Sequence, residues 1–186
     1  MIVGVLGLQG DFREHHRVLR DLGVDTRDVR TAEGIDAVDA LVLPGGESTT
    51  MARLLALHGL DEALLRRGQE GLPLFGTCAG LILMARDVSG GDPKGLGLID
   101  VKVDRNAYGR QVDSFEADLD IKGIGALHAV FIRAPKIIER GPDVEILAEH
   151  DGVPVVAQEA NVLVSSFHPE LVGDGRIHEH FLNSIK

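Results

Sequence analysis

Pro73-Leu74-Phe75-Gly76-Thr77-Cys78-Ala79-Gly80 is the stretch on which the fold turns. A short apolar run ends at a glycine, and from Cys78 to Ala85 the chain is apolar enough for a helix, so the segment reads as strand, sharp turn, helix. The same grammar recurs upstream. Ala40 to Leu43 is a short apolar run that ends at Pro44-Gly45-Gly46, and Ser48 or Thr49 starts a helix carrying Met51, Leu54, Leu55 and Leu57. Leu60 to Arg67 continues as a further helical piece. Nearer the start, Ile2 to Leu8 fits a strand buried on both faces. Asp11 can cap a helix whose inward positions are Phe12, His15, Val18, Leu19 and Leu22, with Gly23 as its stop and Val24 to Val29 as the next strand. Strand–helix alternation of this kind predicts a parallel sheet with helices on both faces.

The second half has a different texture. From Gly97 to Gln158 the segments are short, often alternating, and punctuated by Asn106, Gly109, Gly123, Gly125 and Pro135. Asp151-Gly152 between Val144–Ala148 and Val153–Ala157 is a hairpin signal. Val162 to Phe167 is the last strand and Arg176 to Ile185 a closing helix. The expected fold class is α/β, a three-layer arrangement with a mostly parallel sheet and an antiparallel flank. A length of 186 residues without linker or repeat predicts one domain over 1–186.

Composition narrows the function. Nineteen basic against 29 acidic residues give a net charge of −10, which repels phosphate backbones and argues against nucleic-acid binding. The lone cysteine cannot form an internal disulfide. No apolar stretch approaches the ~20 residues of a bilayer span. Met1 to Leu8 lacks the basic start and cleavage site of a secretory leader. These features predict a cytoplasmic protein with no membrane partner.

Three constellations carry chemistry. Cys78 lies between Gly76 and Gly80, two residues away on each side, the spacing of a nucleophile elbow with sulfur in place of oxygen. The helix N-terminus behind it favours the thiolate; a small buried cysteine packed beside glycines would show the same pattern. His168-Pro169-Glu170 follows the last strand. Its proline stiffens the loop, and a cysteine nucleophile needs a base with an orienting partner. Gly45-Gly46 before Glu47-Ser48 lets backbone N–H groups approach a substrate oxygen, as an oxyanion hole requires, though a plain turn has the same sequence. The other histidines suggest no metal: His178 and His180 are two apart and point to different sides of a helix, and His15 and His16 are adjacent. His58, His128 and His150 have no companion pattern. Neither a metal nor a bound cofactor is expected.

Together, Gly76-Thr77-Cys78-Ala79-Gly80, Pro44-Gly45-Gly46-Glu47-Ser48 and His168-Pro169-Glu170 resemble the class I, triad-type glutamine amidotransferases. Leu8-Gln9-Gly10, the 44–50 segment, Arg105-Asn106-Ala107-Tyr108-Gly109-Arg110-Gln111 and Phe131-Ile132-Arg133-Ala134-Pro135 narrow the resemblance to the glutaminase subunits of pyridoxal 5′-phosphate synthase, over nearly the whole chain. The resemblance implies that Cys78 attacks the side-chain amide of L-glutamine to give a γ-glutamyl thioester and ammonia. It makes His168 the base, Glu170 its orienting partner, and the N–H groups of Gly46 and Ala79 the oxyanion donors. Gly46, Glu47, Ser48, Arg105, Ile132 and Arg133 would line the glutamine site; without the family the two arginines read as surface charges. Arg suits capture of the substrate carboxylate. The implied partner is a (β/α)8-barrel synthase in a ring-based assembly that consumes the ammonia. It builds pyridoxal phosphate from ribose 5-phosphate and glyceraldehyde 3-phosphate. Gln9, Gly10 and Gly45 would belong to the partner interface or to activation, through reorientation of the Gly45–Gly46 peptide. A different cysteine hydrolase of similar fold, or a binding subunit that has lost its chemistry, are the competing readings.

Overall fold

The computed structural model describes residues 1–105 and 114–185, so the 106–111 part of the arginine motif lies outside the described residues. Its centre is a seven-stranded sheet. In chain order its strands are β1 (Ile2–Leu6), β2 (Asp25–Val29), β3 (Ala40–Leu43), β4 (Leu74–Thr77), β10 (Glu145–His150), β11 (Val153–Glu159) and β12 (Val162–Ser165). They lie in the order β10-β11-β12-β4-β3-β1-β2. The pairs from β12 to β2 are parallel, and β10, β11 and β12 form the antiparallel flank. A second sheet holds β5 (Ala85–Ser89), β6 (Ile99–Asp104) and β9 (Lys136–Arg140), and a hairpin pairs β7 (Ser114–Ile121) with β8 (Gly125–Ile132).

The apolar runs of the central strands are continuous because both faces are covered, and alternate residues feed different cores. Leu41, Leu43, Leu74 and Val164 point into one core with Met51, Leu55, Leu60 and Leu64. Those four come from α3 (Ser48–Leu57) and α4 (Leu60–Gln69). On that side α5 (Ala79–Met84) is buried throughout, and the short α2 (Ala32–Asp36), unforeseen in the sequence, contributes Ile35. Val3, Val5, Val42, Phe75 and Leu163 point into the other core. There they meet α1 (Phe12–Asp21), α6 (Arg176–Asn183) and the inner face of the β7–β8 hairpin. The expected hairpin at Asp151-Gly152 is present, with Asp151 at φ 50°. No described helix is long and apolar enough to cross a membrane.

Candidate active site

Strands β3, β4 and β12 are adjacent and parallel, so their carboxyl ends deliver Gly45–Ser48, Cys78 and His168–Glu170 to one edge of the sheet. That edge is where open α/β sheets bind ligands. Cys78 occupies the turn between β4 and α5 at φ 47° and ψ −99°, a conformation that the surroundings must impose. Its N–H donates to the Ser165 carbonyl at 2.9 Å. The flanking glycines have a steric cause. A Cβ on Gly80 would stand 2.1 Å from the Leu43 carbonyl oxygen, and one on Gly76 would meet Met84 Sδ at 2.6 Å. The buried sulfur lies 3.7 Å from the Ile132 carbonyl oxygen.

His168 and Glu170 follow β12, with Pro169 opening a single 3-10 turn, Pro169–Leu171. The His168 backbone N–H donates to the Val130 carbonyl at 2.9 Å, which ties the loop to β8. Its Nδ1 is 2.8 Å from Glu170 Oε1, leaving Nε2 for the sulfur. Burial opposes a charge on this ring, but the Asp11 carboxylate, the Cys78 sulfur and Glu170 outweigh it, and the proton affinity is pushed up to about 12. Burial raises the Glu170 carboxyl, and the adjacent imidazole opposes that rise.

Asp11 departs from its expected role. Its side chain makes no capping bond to α1 and instead places Oδ2 3.3 Å from His168 Nδ1. Two carboxylates therefore face one imidazole nitrogen. One of them is fully buried, while the Asp11 side chain is 40% exposed. Asp11, His168 and Glu170 offer ligand atoms all within 4.8 Å of one another, enough for an ion. An ion there would take the Nδ1 that holds the imidazole against Glu170.

The β3–α3 turn is pinned by the loop after β1. The Asp11 N–H donates to the Gly45 carbonyl at 3.1 Å, and the Glu47 N–H to Gln9 Oε1 at 2.8 Å. Gly45 must be glycine because a Cβ there would stand 2.3 Å from His168 Cε1. Glu47 caps α3 by accepting from the Thr49 and Thr50 N–H groups. The Thr50 hydroxyl bond and those N–H groups hold its carboxyl at about 2, against the cost of partial burial. Arg105 Nη1 donates to Thr49 Oγ1 at 3.1 Å, and Nη2 stands 3.7 Å from Glu47 Oε1. Arg133 follows β8 at φ 46°.

These groups surround a cleft of about 650 Å³. Gly46, Glu47, Ser48, Cys78, Arg105, Ile132, Arg133 and His168, all anticipated from sequence, line it. Ala79 is the first residue of α5, Glu170 sits behind His168, and Gln9, Gly10 and Gly45 lie one layer out. Asp11, Ile82 and Ser114 also line the cleft and were not foreseen. His15 and His178, dismissed on spacing within their own helices, meet behind Glu170, with His15 Nδ1 2.9 Å from His178 Nε2. A signal for His15 was there: it shares the buried face of α1 with Val18 and Leu19, and a polar group on such a face needs a partner.

A strand-to-helix cysteine beside a histidine–carboxylate loop suits nucleophilic catalysis, and the similarity to known proteins narrows the class to the glutamine amidotransferases. A crystal structure titled as a glutamine amidotransferase superposes over the whole chain with a TM-score of 0.95 at 47% identity, covering 99% of that chain. The PurLQS structure from Thermotoga maritima shares the fold at a TM-score of 0.74 and 15% identity, covering 98% of that chain and all of this one. The model of the SNO glutamine amidotransferase family matches residues 5–186, and the chain belongs to that family. It is 54% identical over the full length of both chains to pyridoxal 5′-phosphate synthase subunit PdxT of Thermosipho africanus. It is 48% identical to the PdxT subunit of Thermoplasma volcanium, over 98% of this chain and 94% of that one. The protein is therefore an enzyme of the glutamine amidotransferase type, acting on the side-chain amide of glutamine.

Proposed function

We propose that this protein is the glutaminase subunit of a pyridoxal 5′-phosphate synthase, with Cys78, His168 and Glu170 as its catalytic triad. The observation that carries the reading is the convergence of Cys78, at its strained turn, and the Glu170-backed His168 on one cleft with two arginines. Full-length similarity to PdxT subunits supplies the partner.

In this reading the Cys78 thiolate attacks the amide carbon of L-glutamine. The N–H groups of Gly46 and Ala79 receive the oxyanion. His168 gives its Nε2 proton to the departing nitrogen, so the C–N bond breaks, ammonia leaves and a γ-glutamyl thioester remains. A water molecule then loses a proton to His168 and attacks the thioester carbon, releasing glutamate and restoring the thiolate. Glu170 keeps the imidazole aligned throughout. Arg105 and Arg133 hold the substrate carboxylate, with Gly46, Glu47, Ser48 and Ile132 shaping the rest of the site. Free ammonia is protonated in water, so it passes to a (β/α)8-barrel synthase within a ring-shaped assembly. Gln9, Gly10 and Gly45 adjoin that interface, and reorientation of the Gly45–Gly46 peptide on docking switches the hydrolysis on. The chain needs neither metal nor cofactor.

The test is glutamate release from glutamine by the chain alone and with the synthase subunit. Release should rise with the partner and fall by about 10³-fold or more in Cys78→Ala, the scale of losing a nucleophile. Turnover by Cys78→Ala at the wild-type rate would overturn the reading.

A further inference from the structure

Behind the histidine and carboxylate of the proposed triad runs a buried polar chain that the hydrolysis described above does not use. Glu170 is fully buried and gives one oxygen to His168. Its other oxygen, Oε2, makes no hydrogen bond among the described residues, and His15 Nε2 lies 3.5 Å away. The same nitrogen is 3.2 Å from the hydroxyl of Thr77, the residue before Cys78. On the far side of the ring, His15 Nδ1 meets His178 Nε2 at 2.9 Å, and the Nδ1 of His178 has no hydrogen-bond partner among the described residues. His15, Thr77, Glu170 and His178 are all 0% exposed.

Their surroundings favour the neutral form of both rings. Burial, then the neighbouring His178, His168 and His16, hold His15 well below its ordinary value, and burial alone takes His178 down to about 4. A neutral imidazole has one N–H, so the chain has two possible directions. If His15 carried its proton on Nδ1, its Nε2 lone pair would face the Glu170 carboxylate. His178 would then bury an unpaired N–H donor. If the proton is on Nε2, that N–H faces the Thr77 hydroxyl at 3.2 Å with Glu170 Oε2 3.5 Å away, Nδ1 accepts from His178 Nε2–H, and on the two rings the only orphan among the described residues is a His178 lone pair. The second direction avoids both the repulsion and the unpaired donor, which costs the full desolvation of that group.

We propose that His15 is a positioning residue for the triad: its Nε2–H, oriented by His178, braces the second oxygen of Glu170 and the Thr77 hydroxyl, so that base and nucleophile turn are held by one ring. The proposal rests on the triad reading of Cys78, His168 and Glu170. It explains how three elements, α1, the end of β4 and α6, act on the loop that carries His168. It also bears on a carboxylate with no exposure, since an N–H dipole 3.5 Å from Oε2 offsets part of the cost of burying its charge.

Two measurements test it. Long-range proton–nitrogen correlation on the wild-type chain labelled with nitrogen-15 histidine reads each tautomer directly. His15 and His178 should both be neutral with the proton on Nε2. A His15 proton on Nδ1, or a charged His15, overturns the proposal, and this readout needs no variant to fold. The second measurement is glutamate release with the synthase subunit for His15→Phe, His15→Gln and Cys78→Ala. His15→Phe should lower kcat by roughly 10- to 100-fold, the range for a partner of an active group, with KM changed by less than about 3-fold. His15→Gln, whose amide N–H reaches near the position of Nε2, should recover most of kcat. A purely structural role would instead lower the stability of both variants and leave kcat of the folded fraction unchanged. If Cys78→Ala is inactive while folded His15→Phe turns over like wild type, the positioning role falls and the triad stands. If Cys78→Ala turns over like wild type, the triad falls and the positioning role with it.

Discussion

Two glycine turns sit side by side at the sheet edge, and they are built to different standards. The β4–α5 turn is enclosed: Cys78 has a positive φ, its N–H is bonded to β12, and a Cβ on either flanking glycine would collide with a backbone carbonyl or a methionine sulfur. The β3–α3 turn opens onto the cleft, and it is held by the loop after β1 through Gln9 and the Asp11 N–H. A nucleophile must stay within a fraction of an ångström of its line of attack, which suits the enclosed turn. The proposed oxyanion donor, which in the proposed function completes its geometry when the partner docks, suits a turn whose restraints come from an adjoining loop. The two turns touch through Gly80 and Leu43, so neither is independent of the other.

Breaking that contact should produce the largest effect. In Gly80→Ala the new methyl would stand 2.1 Å from the Leu43 oxygen, a backbone atom that cannot step aside. Overpacking of this kind costs about 3 kcal/mol. It should lower the melting temperature by roughly 6–12 °C for a chain of this size and abolish turnover. Scanning calorimetry beside a glutamate assay checks both. An unchanged melting temperature would mean that the elbow is looser than its contacts imply.

Gly45→Ala separates the turns. Its Cβ would strike the imidazole of His168 at 2.3 Å and leave the elbow untouched. A displacement of about 1 Å at a catalytic group costs on the order of 10²-fold in rate, so kcat should fall by that much. The melting temperature should move much less than in Gly80→Ala. Equal losses of stability in the two variants would erase the distinction drawn between the turns.

Asp11→Asn sharpens the comparison with a smaller change. The backbone bond from Asp11 to Gly45 survives, and only the carboxylate facing His168 is lost. A proton affinity raised above the ordinary 6.5 means that the imidazolium is kept at neutral pH and given up as pH climbs toward about 12. Removing one of the charges that raise it brings that loss to lower pH. The alkaline limb of the rate profile should move down in the variant, with little change in activity near pH 7. A limb that does not move would show that Glu170 and the Cys78 sulfur carry the effect without Asp11.

The parallel half of the fold was legible because doubly buried strands read as continuous apolar runs ending in glycine, and its helices carry apolar faces at regular spacing. Cys78, His168 and the 45–48 turn were legible for a related reason, since local backbone demands write themselves as glycine and proline at fixed offsets. Asp11 was misread because a carboxylate before a helix serves equally as a cap or as a free side chain, and only the neighbouring β12 loop decides which. His15 and His178 are 163 positions apart, and no local pattern could announce that α1 and α6 pack on the same face of the sheet. Arg105 and Arg133 carry no local signal of their own and read as surface charges without the family; the resemblance assigned them to the glutamine site, and both line the cleft from two separate strand ends.

The central claim is that Cys78, activated by His168, is the atom that meets glutamine. Covalent capture tests it most directly: incubate the enzyme and its synthase partner with a diazoketone analogue of glutamine, then locate the adduct by peptide mass spectrometry. The account requires one adduct, on the peptide containing Cys78, suppressed by excess glutamine and slowed strongly in His168→Ala. An adduct on any other residue, or undiminished labelling in His168→Ala, would contradict it.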